Sequence, residues 1–168
     1  MGRNIEIKAR VSDPDAMRRR IDSIADRGPE ILHQEDLFFP CSDGRLKLRI
    51  LAPDRGELIH YRRADGRGPV ESDYLIAATA EPRRLGALLS RALGRRGVVR
   101  KVRALYHAGS TRIHLDEVEE LGHFVELETV LPAGRSRDEG RREVVRLMER
   151  LGIGPDDLVA TAYIDRFG

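Results

Sequence analysis

The clearest pattern in this chain is alternation. Residues 4–11, Asn-Ile-Glu-Ile-Lys-Ala-Arg-Val, put Asn4, Glu6, Lys8 and Arg10 on one face and Ile5, Ile7, Ala9 and Val11 on the other. Period two over this length is the mark of a half-buried strand. Seven more strand-like runs follow, at about 31–39, 45–51, 57–63, 71–78, 98–107, 111–118 and 123–131. Turn residues such as Ser42-Asp43-Gly44, Pro53-Asp54-Arg55-Gly56 and Asp65-Gly66-Arg67-Gly68 separate several of them. Helical spacing interrupts the strands. One helix is expected to start at Ser12 or Asp13 with Pro14 in its first turn, to bury Met17, Ile21, Ile24 and Ala25, and to end at Gly28-Pro29. A second spans about 81–94, with Leu85, Leu88, Leu89 and Leu93 apolar and Gly94 at its end. A third follows the capping box Ser136-Arg137-Asp138-Glu139 and buries Val144, Val145, Leu147, Met148 and Leu151 up to Gly152. A short final helix is expected from Pro155 to about Phe167.

Composition narrows the classes. With 168 residues, 40% hydrophobic and 35% charged, the chain reads as one domain over 1–168 with a real core. It has no apolar run near the roughly 20 residues of a spanning helix, and it has no secretory signal pattern. Cys41 is the only cysteine, which excludes an internal disulfide framework and a thiolate metal cluster and points to the cytoplasm. A net charge of +2 and the lack of tryptophan argue against a dedicated nucleic-acid binder. The pairs Arg83-Arg84, Arg95-Arg96 and Arg141-Arg142, and the run Arg18–Arg20, read mostly as solvated helix faces.

The polar faces of the strands are unusual. Arg45, Lys47 and Arg49 share one face; so do His60 and Arg62, Lys101 and Arg103, Arg112, His114 and Asp116, and Phe124, Glu126 and Glu128. A solvated sheet face would accommodate such charges. About eight strands, however, tend to curl, and with helices packed outside the charged face lies inside. A dry interior of that kind is costly; a wet one suits a polyanion held by the bases and hard cations held by the acids. The lysines add a hint. Only Lys8, Lys47 and Lys101 accompany the many arginines. All three fall in strands, where a compact ammonium with a shiftable pKa does what a guanidinium cannot.

These residues resemble a known family. Asn4-Ile-Glu6-Ile-Lys8 is similar to the Glu-x-Glu-x-Lys signature of the CYTH superfamily, the triphosphate tunnel metalloenzymes. Gln34-x-Asp36-x-Phe38-Phe39, Arg45-Leu-Lys47-Leu-Arg49, Tyr61-Arg62, Ser72-x-Tyr74 and Val99-Arg-Lys101-Val-Arg103-x-x-Tyr106 resemble its successive strands. Arg112-Ile-His114-Leu-Asp116-x-Val118, then Leu121-Gly122-x-Phe124-Val-Glu126-Leu-Glu128, resembles the class IV adenylate cyclase branch, and Ala162-Tyr163-Ile164-Asp165 its C-terminal helix.

The resemblance implies an α+β fold: a closed, antiparallel eight-stranded β-barrel, the triphosphate tunnel, with amphipathic helices outside. It implies Mg²⁺ or Mn²⁺ held by Glu6, Glu126 and Glu128, with Asp116 as ligand or supporting partner. Lys8, Lys47, Arg49, Arg62, Lys101, Arg103 and Arg112 are expected to bind phosphates, with Lys8 and Lys47 as candidates for proton transfer. Asn4 replaces the first glutamate of the signature and brings no charge; either the site relies on the four other acids, or one of two metals is weakened. The expected substrate is a nucleoside triphosphate or an inorganic or organic triphosphate. The first reaction is ATP to cyclic AMP and pyrophosphate. The alternatives are hydrolysis of tripolyphosphate, thiamine triphosphate or a nucleotide, and a catalytically weak nucleotide- or polyanion-binding module. His60 and His114 are expected to point into the tunnel, whereas His33, His107 and His123 read as loop or surface residues. Tyr61 and Phe124 read as packing residues. The family also suggests a homodimer.

Overall fold

A computed structural model describes residues 1–166. Its eight strands are β1 (Gly2–Arg10), β2 (Arg27–Phe39), β3 (Arg45–Ala52), β4 (Arg55–Arg63), β5 (Val70–Thr79), β6 (Gly97–Ala108), β7 (Thr111–Val118) and β8 (Gly122–Val130). They close into a barrel in the order β1-β5-β4-β3-β2-β6-β7-β8, every neighbour antiparallel. Closure removes the free edges that an open sheet of this width would expose.

Three helices cover the outside: α1 (Pro14–Asp22), α2 (Pro82–Leu93) and α3 (Arg137–Leu151). The larger core packs Met17 and Ile21 of α1 and Val144, Leu147 and Leu151 of α3 on the outward residues of β1, β7 and β8, among them Ile5, Ile7, Ile113, Leu115, Val125 and Leu127. Each such side chain contributes on the order of 1.5–3 kcal/mol by burial. Gly140 lets α3 come this close, since a Cβ there would lie 2.7 Å from Leu131 and 2.9 Å from Ile5. A smaller core under α2 joins Leu85 and Leu89 to Leu37, Phe39, Leu48 and Ile50. Leu88 and Leu93 stay exposed, as does Val145 on α3, so the apolar stripes are narrower than the sequence suggests. The paired arginines are exposed, as a solvated face requires.

Two boundaries differ from expectation. α1 ends at Asp22, and Gly28-Pro29 falls inside β2, where the register with β6 shifts between Arg27 and Glu30. A bulge tolerates the missing N–H of proline. The expected final helix is instead two 3₁₀ turns, Pro155–Asp157 and Tyr163–Arg166, joined by an extended stretch. Val159, Ala162, Tyr163 and Ile164 are all buried, with Phe38, Val99, Val118 and Phe124, across one end of the barrel. The stretch pairs with β1 through Ala9 and Leu158, and Val159 N–H donates to the Lys8 carbonyl at 2.9 Å. Phe167, the expected end of that helix, lies outside the described residues.

The loop before α3 is held by a polar cluster. Glu143 accepts from Thr111 Oγ1 at 2.7 Å, from Ser110 Oγ at 3.0 Å and from Arg135. Burial alone would raise the Glu143 carboxyl, but these hydrogen bonds hold it below its ordinary range. A carboxyl depressed in the folded state stabilises the fold above its unfolded pKa. That contribution disappears as pH falls through the folded value. Glu143→Gln is therefore expected to lower the melting temperature at neutral pH and to flatten its fall between about pH 5 and 3. Thermal unfolding followed across that range checks both; an unchanged acid slope would count against this role.

Candidate active site in the barrel interior

The inward face of every strand contributes to one cavity of about 470 Å³. The alternation places Glu6 and Lys8 of β1, Gln34, Asp36 and Phe38 of β2, Lys47 and Arg49 of β3, Lys101 and Arg103 of β6, Arg112 and His114 of β7, and Glu126 and Glu128 of β8 on its wall. Tyr163 and Ala162 of the C-terminal segment close one end. At the other end the lining is half-exposed and largely apolar: Leu32, Leu51, Leu105 and Ile76, with Glu30, Arg55 and Glu57 among them.

The cationic wall repeats one unit. On β3, Arg49 donates Nε and Nη2 to the two oxygens of Asp36, both at 2.8 Å, and Lys47 Nζ joins at 3.0 Å. On β6, Arg103 donates in the same two-pronged way to Asp116, at 2.7 Å twice, and Lys101 Nζ joins at 2.9 Å. Each Lys-x-Arg strand is thus gripped by one buried aspartate on the neighbouring strand. Burial alone would raise both aspartates; the paired cations override it and keep them ionised. The lysines shift the other way. Burial, then the Arg103 charge, lowers Lys101 to about 8, and burial with Arg49 lowers Lys47. Lys8 Nζ lies 3.1 Å from Glu126 and 3.5 Å above the Tyr163 ring.

The opposite wall is acidic. In the β1–β8 ladder Glu6 stands directly across from Glu128, and Lys8 from Glu126. Like charges directly opposite destabilise a sheet, and burial with the Glu128 charge raises the Glu6 carboxyl. Arg63 Nε at 2.6 Å and the Ser72 hydroxyl at 2.7 Å hold Glu6. Glu126 is held well below its ordinary value against burial by Lys8, Lys101 and Arg103. Glu128 is lowered against burial by His114 and Arg112.

Donor atoms of His114, Glu126 and Glu128 all lie within 4.8 Å of one another. Two carboxylates and an imidazole, with Glu6 facing Glu128, suit a divalent cation such as Mg²⁺ or Mn²⁺. His114 is lowered by burial and then by Arg103, while Glu128 and Glu126 pull it the other way.

Several expected residues move. Arg62 is turned out of the tunnel and pairs with Asp43 at the surface; its neighbour Arg63 points in. His60 also faces outward, its Nε2 2.8 Å from the Asp43 carbonyl. The signal was Leu58: it packs with the core under α2, so its parity carries His60 and Arg62 outward. Asp116 is fully buried behind the wall, held by Arg103, Lys101 and the Tyr163 hydroxyl, and it does not line the cavity. Its place is a supporting partner of the cations. Asn4 is 2% exposed and belongs to Arg112 rather than to the acids: with its amide set by the surrounding donors and acceptors, its oxygen accepts from Arg112 Nη2 at 3.2 Å. Arg45 tethers the C-terminal segment through Asp165 at 2.9 Å. Phe124 packs edge-on to Tyr163, as a packing residue should. Gln34, Asp36, Arg63 and Tyr163 were not singled out from the sequence as site residues. Gln34, Asp36 and Tyr163 fall in motifs that resemble the family, whereas Arg63 has no such signal.

The CYTH domain model matches residues 2–163. The chain belongs to the CYTH family. A Methanocaldococcus jannaschii relative, described as a candidate adenylate cyclase, is 23% identical over 171 residues, with 98% of each chain covered. The PH1012 protein of Pyrococcus horikoshii has the same fold, at a TM-score of 0.86 and 26% identity, with 96% of this chain and 98% of that one covered. A Hippeastrum structure, described as a candidate adenylyl cyclase with a dominant triphosphatase activity, aligns at a TM-score of 0.65 and 17% identity over 98% of this chain and 94% of that one. The eight-stranded CYTH barrel with its helices outside is therefore the fold of this protein.

Two expectations test the walls. Arg63→Ala, which leaves Glu6 without its buried cation, should cost about 1–3 kcal/mol of stability, and Arg62→Ala less than about 0.5 kcal/mol, by denaturant unfolding. Equal effects would mean that the two arginines are not on opposite faces. Glu128→Gln should weaken Mn²⁺ binding about tenfold or more, as read by electron paramagnetic resonance of free Mn²⁺. Unchanged affinity would place the cation elsewhere.

Proposed function

We propose that this CYTH protein is a divalent-metal-dependent enzyme that takes a nucleoside triphosphate into the barrel phosphate-first, and that it converts ATP to cyclic AMP and pyrophosphate. The observation that carries this reading is the order of surfaces along the tunnel: a closed floor, a band of paired charges, then a half-exposed mouth where Leu32, Leu51, Leu105 and Ile76 stand among Glu30, Arg55 and Glu57. A triphosphate fits the band, where Lys8, Lys47, Arg49, Arg63, Lys101, Arg103 and Arg112 converge. The mouth then offers apolar contact to an organic group attached to that triphosphate, a surface that inorganic tripolyphosphate would leave unused.

In cyclisation the ribose 3′-oxygen forms a bond to the α-phosphorus, and the bond from that phosphorus to the pyrophosphate oxygen breaks. The residues present suit both halves. Arg49 and Arg103, held as rigid forks by their aspartates, fix the phosphate oxygens for in-line attack. Burial and Arg49 disfavour the charged form of Lys47, and as a neutral amine it would take the hydroxyl proton. A divalent ion at Glu128 with Glu6, Glu126 and His114 would offset the charge that develops on the leaving group. The name carried by the M. jannaschii relative supports the same direction.

Hydrolysis is the second reading, favoured by the triphosphatase activity described for the Hippeastrum neighbour. It uses the same cations, with water attacking the terminal phosphorus near the floor.

Incubation with Mg²⁺ or Mn²⁺ and ATP, 3′-deoxy-ATP or tripolyphosphate separates the readings. The cyclase reading expects cyclic AMP and pyrophosphate from ATP, and binding without reaction for 3′-deoxy-ATP. Orthophosphate from ATP or tripolyphosphate, with no cyclic nucleotide, would establish the hydrolase instead. Stabilisation by all three with no product, seen as a raised melting temperature, would leave a binding module.

A further inference from the structure

At the junction of the charged band and the mouth, β2 carries Gln34. The residue is 6% exposed and lines the tunnel, yet its Oε1 accepts no hydrogen bond among the described residues. A buried polar atom left unpaired costs on the order of 1–3 kcal/mol, so its persistence in a tunnel points to a partner that arrives from outside. Tyr106 Oη and Arg166 Nε are also buried and unpaired, but neither residue lines the tunnel.

The register defines what surrounds Gln34. It pairs directly with Lys101 on β6. On the β3 side Glu35 pairs with Ile50, so the next inward residue there is Leu51. Along β2 itself, Asp36 with its two cations lies two residues one way, and Leu32 of the mouth lies two residues the other way. Along β2 Gln34 therefore stands between Asp36 with its cations and the apolar Leu32, while on β6 it faces Lys101 and Leu32 faces Arg103. In a nucleoside triphosphate that intermediate position belongs to the sugar.

We propose that Gln34 recognises the ribose of the substrate, its Oε1 accepting a hydrogen bond from a ribose hydroxyl. The triphosphate then lies on the two Lys-x-Arg strands, and the base lies among Leu32, Leu51 and Leu105. This inference rests on the nucleoside triphosphate reading above and adds the group that distinguishes a nucleotide from a bare polyphosphate. The cations cannot make that distinction, because both ligands present a triphosphate. The leucines reward any apolar group of suitable size. An acceptor built to receive one hydroxyl is left unpaired when an analogue lacks it, and that is the stronger form of discrimination.

The test compares ATP, 2′-deoxy-ATP, 3′-deoxy-ATP and tripolyphosphate on the full chain by titration calorimetry, with Ca²⁺ as the only divalent ion. The variant is Gln34→Met, which keeps the length of the side chain and removes the strong acceptor. Its ATP affinity should fall about tenfold, while that for tripolyphosphate stays within about twofold of wild type. One deoxy analogue should bind wild type about tenfold more weakly than ATP and lose nothing further in the variant, which would identify the hydroxyl. Equal losses for ATP and tripolyphosphate, or undiminished ATP binding, would overturn the role of Gln34. If the variant does not fold, the wild-type protein decides alone: equal affinity for ATP and both deoxy analogues overturns the proposal. Failure of the wider reading looks different, because wild type would then bind neither ATP nor tripolyphosphate, or only the latter.

Discussion

The constraint on which this molecule depends is the cost of buried charge. Lys47, Arg49, Lys101 and Arg103 lie inside a barrel whose floor is sealed by Tyr163 and its neighbours. An uncompensated ion there would cost several kcal/mol. Two aspartates meet that cost in the same way. Asp36 and Asp116 each take an arginine through two parallel hydrogen bonds and a lysine through a third. Such pairs add little net stability, because desolvation offsets their attraction. What they supply is geometry. A guanidinium gripped along one edge presents its remaining N–H groups in a known direction, and a buried aspartate cannot swing away.

The rest of the fold serves that interior. Strand alternation sends the apolar residues outward, where α1, α2 and α3 cover them, and the charged residues inward. Antiparallel closure satisfies every strand edge, so the polar interior needs no further cover at the sides. The C-terminal segment closes one end with packed apolar and aromatic groups, held in place by Asp165 between Arg45 and Arg96. Water is kept from that end, and electrostatic interactions in the band are stronger for it. The Tyr163 ring also lies under Lys8 and Lys101, at 3.5 and 4.9 Å, which gives both ammonium groups a favourable neighbour.

The acidic wall is organised differently. Glu6 and Glu128 oppose each other across a ladder, and burial raises the one while His114 and Arg112 lower the other. Two carboxyls that face each other across one ladder, each with its own cationic neighbour, make an arrangement suited to a cation arriving between them. A fourth acid at position 4 would have crowded the same wall. Asn4 instead gives its oxygen to Arg112, which leaves His114, Glu126 and Glu128, with Glu6 opposite Glu128, as the groups suited to a cation.

Periodicity along the chain determined most of the architecture: eight alternating strands, three amphipathic helices and a charged inner face follow from side-chain spacing alone. It also determined that Glu6, Lys8, Lys47, Arg49, Lys101, Arg103, Arg112, Glu126 and Glu128 share one surface, because strand parity is a local property. Tertiary structure decided what parity leaves ambiguous. Arg62 and Arg63 are adjacent, and only the packing of Leu58 under α2 chooses between them. Asp116 has the correct parity but lies behind Arg103 and Tyr163, and no local pattern reports which groups stand in front of a side chain. The C-terminal segment reads as a short helix from Pro155, with Ala162-Tyr163-Ile164-Asp165 resembling the family's last helix. It became two 3₁₀ turns joined by a stretch that pairs with β1, because the open barrel end had to be covered by Val159, Ala162, Tyr163 and Ile164, a requirement set by strands far earlier in the chain. Side-chain spacing is written into neighbouring residues; depth and company inside a closed barrel are set by distant ones.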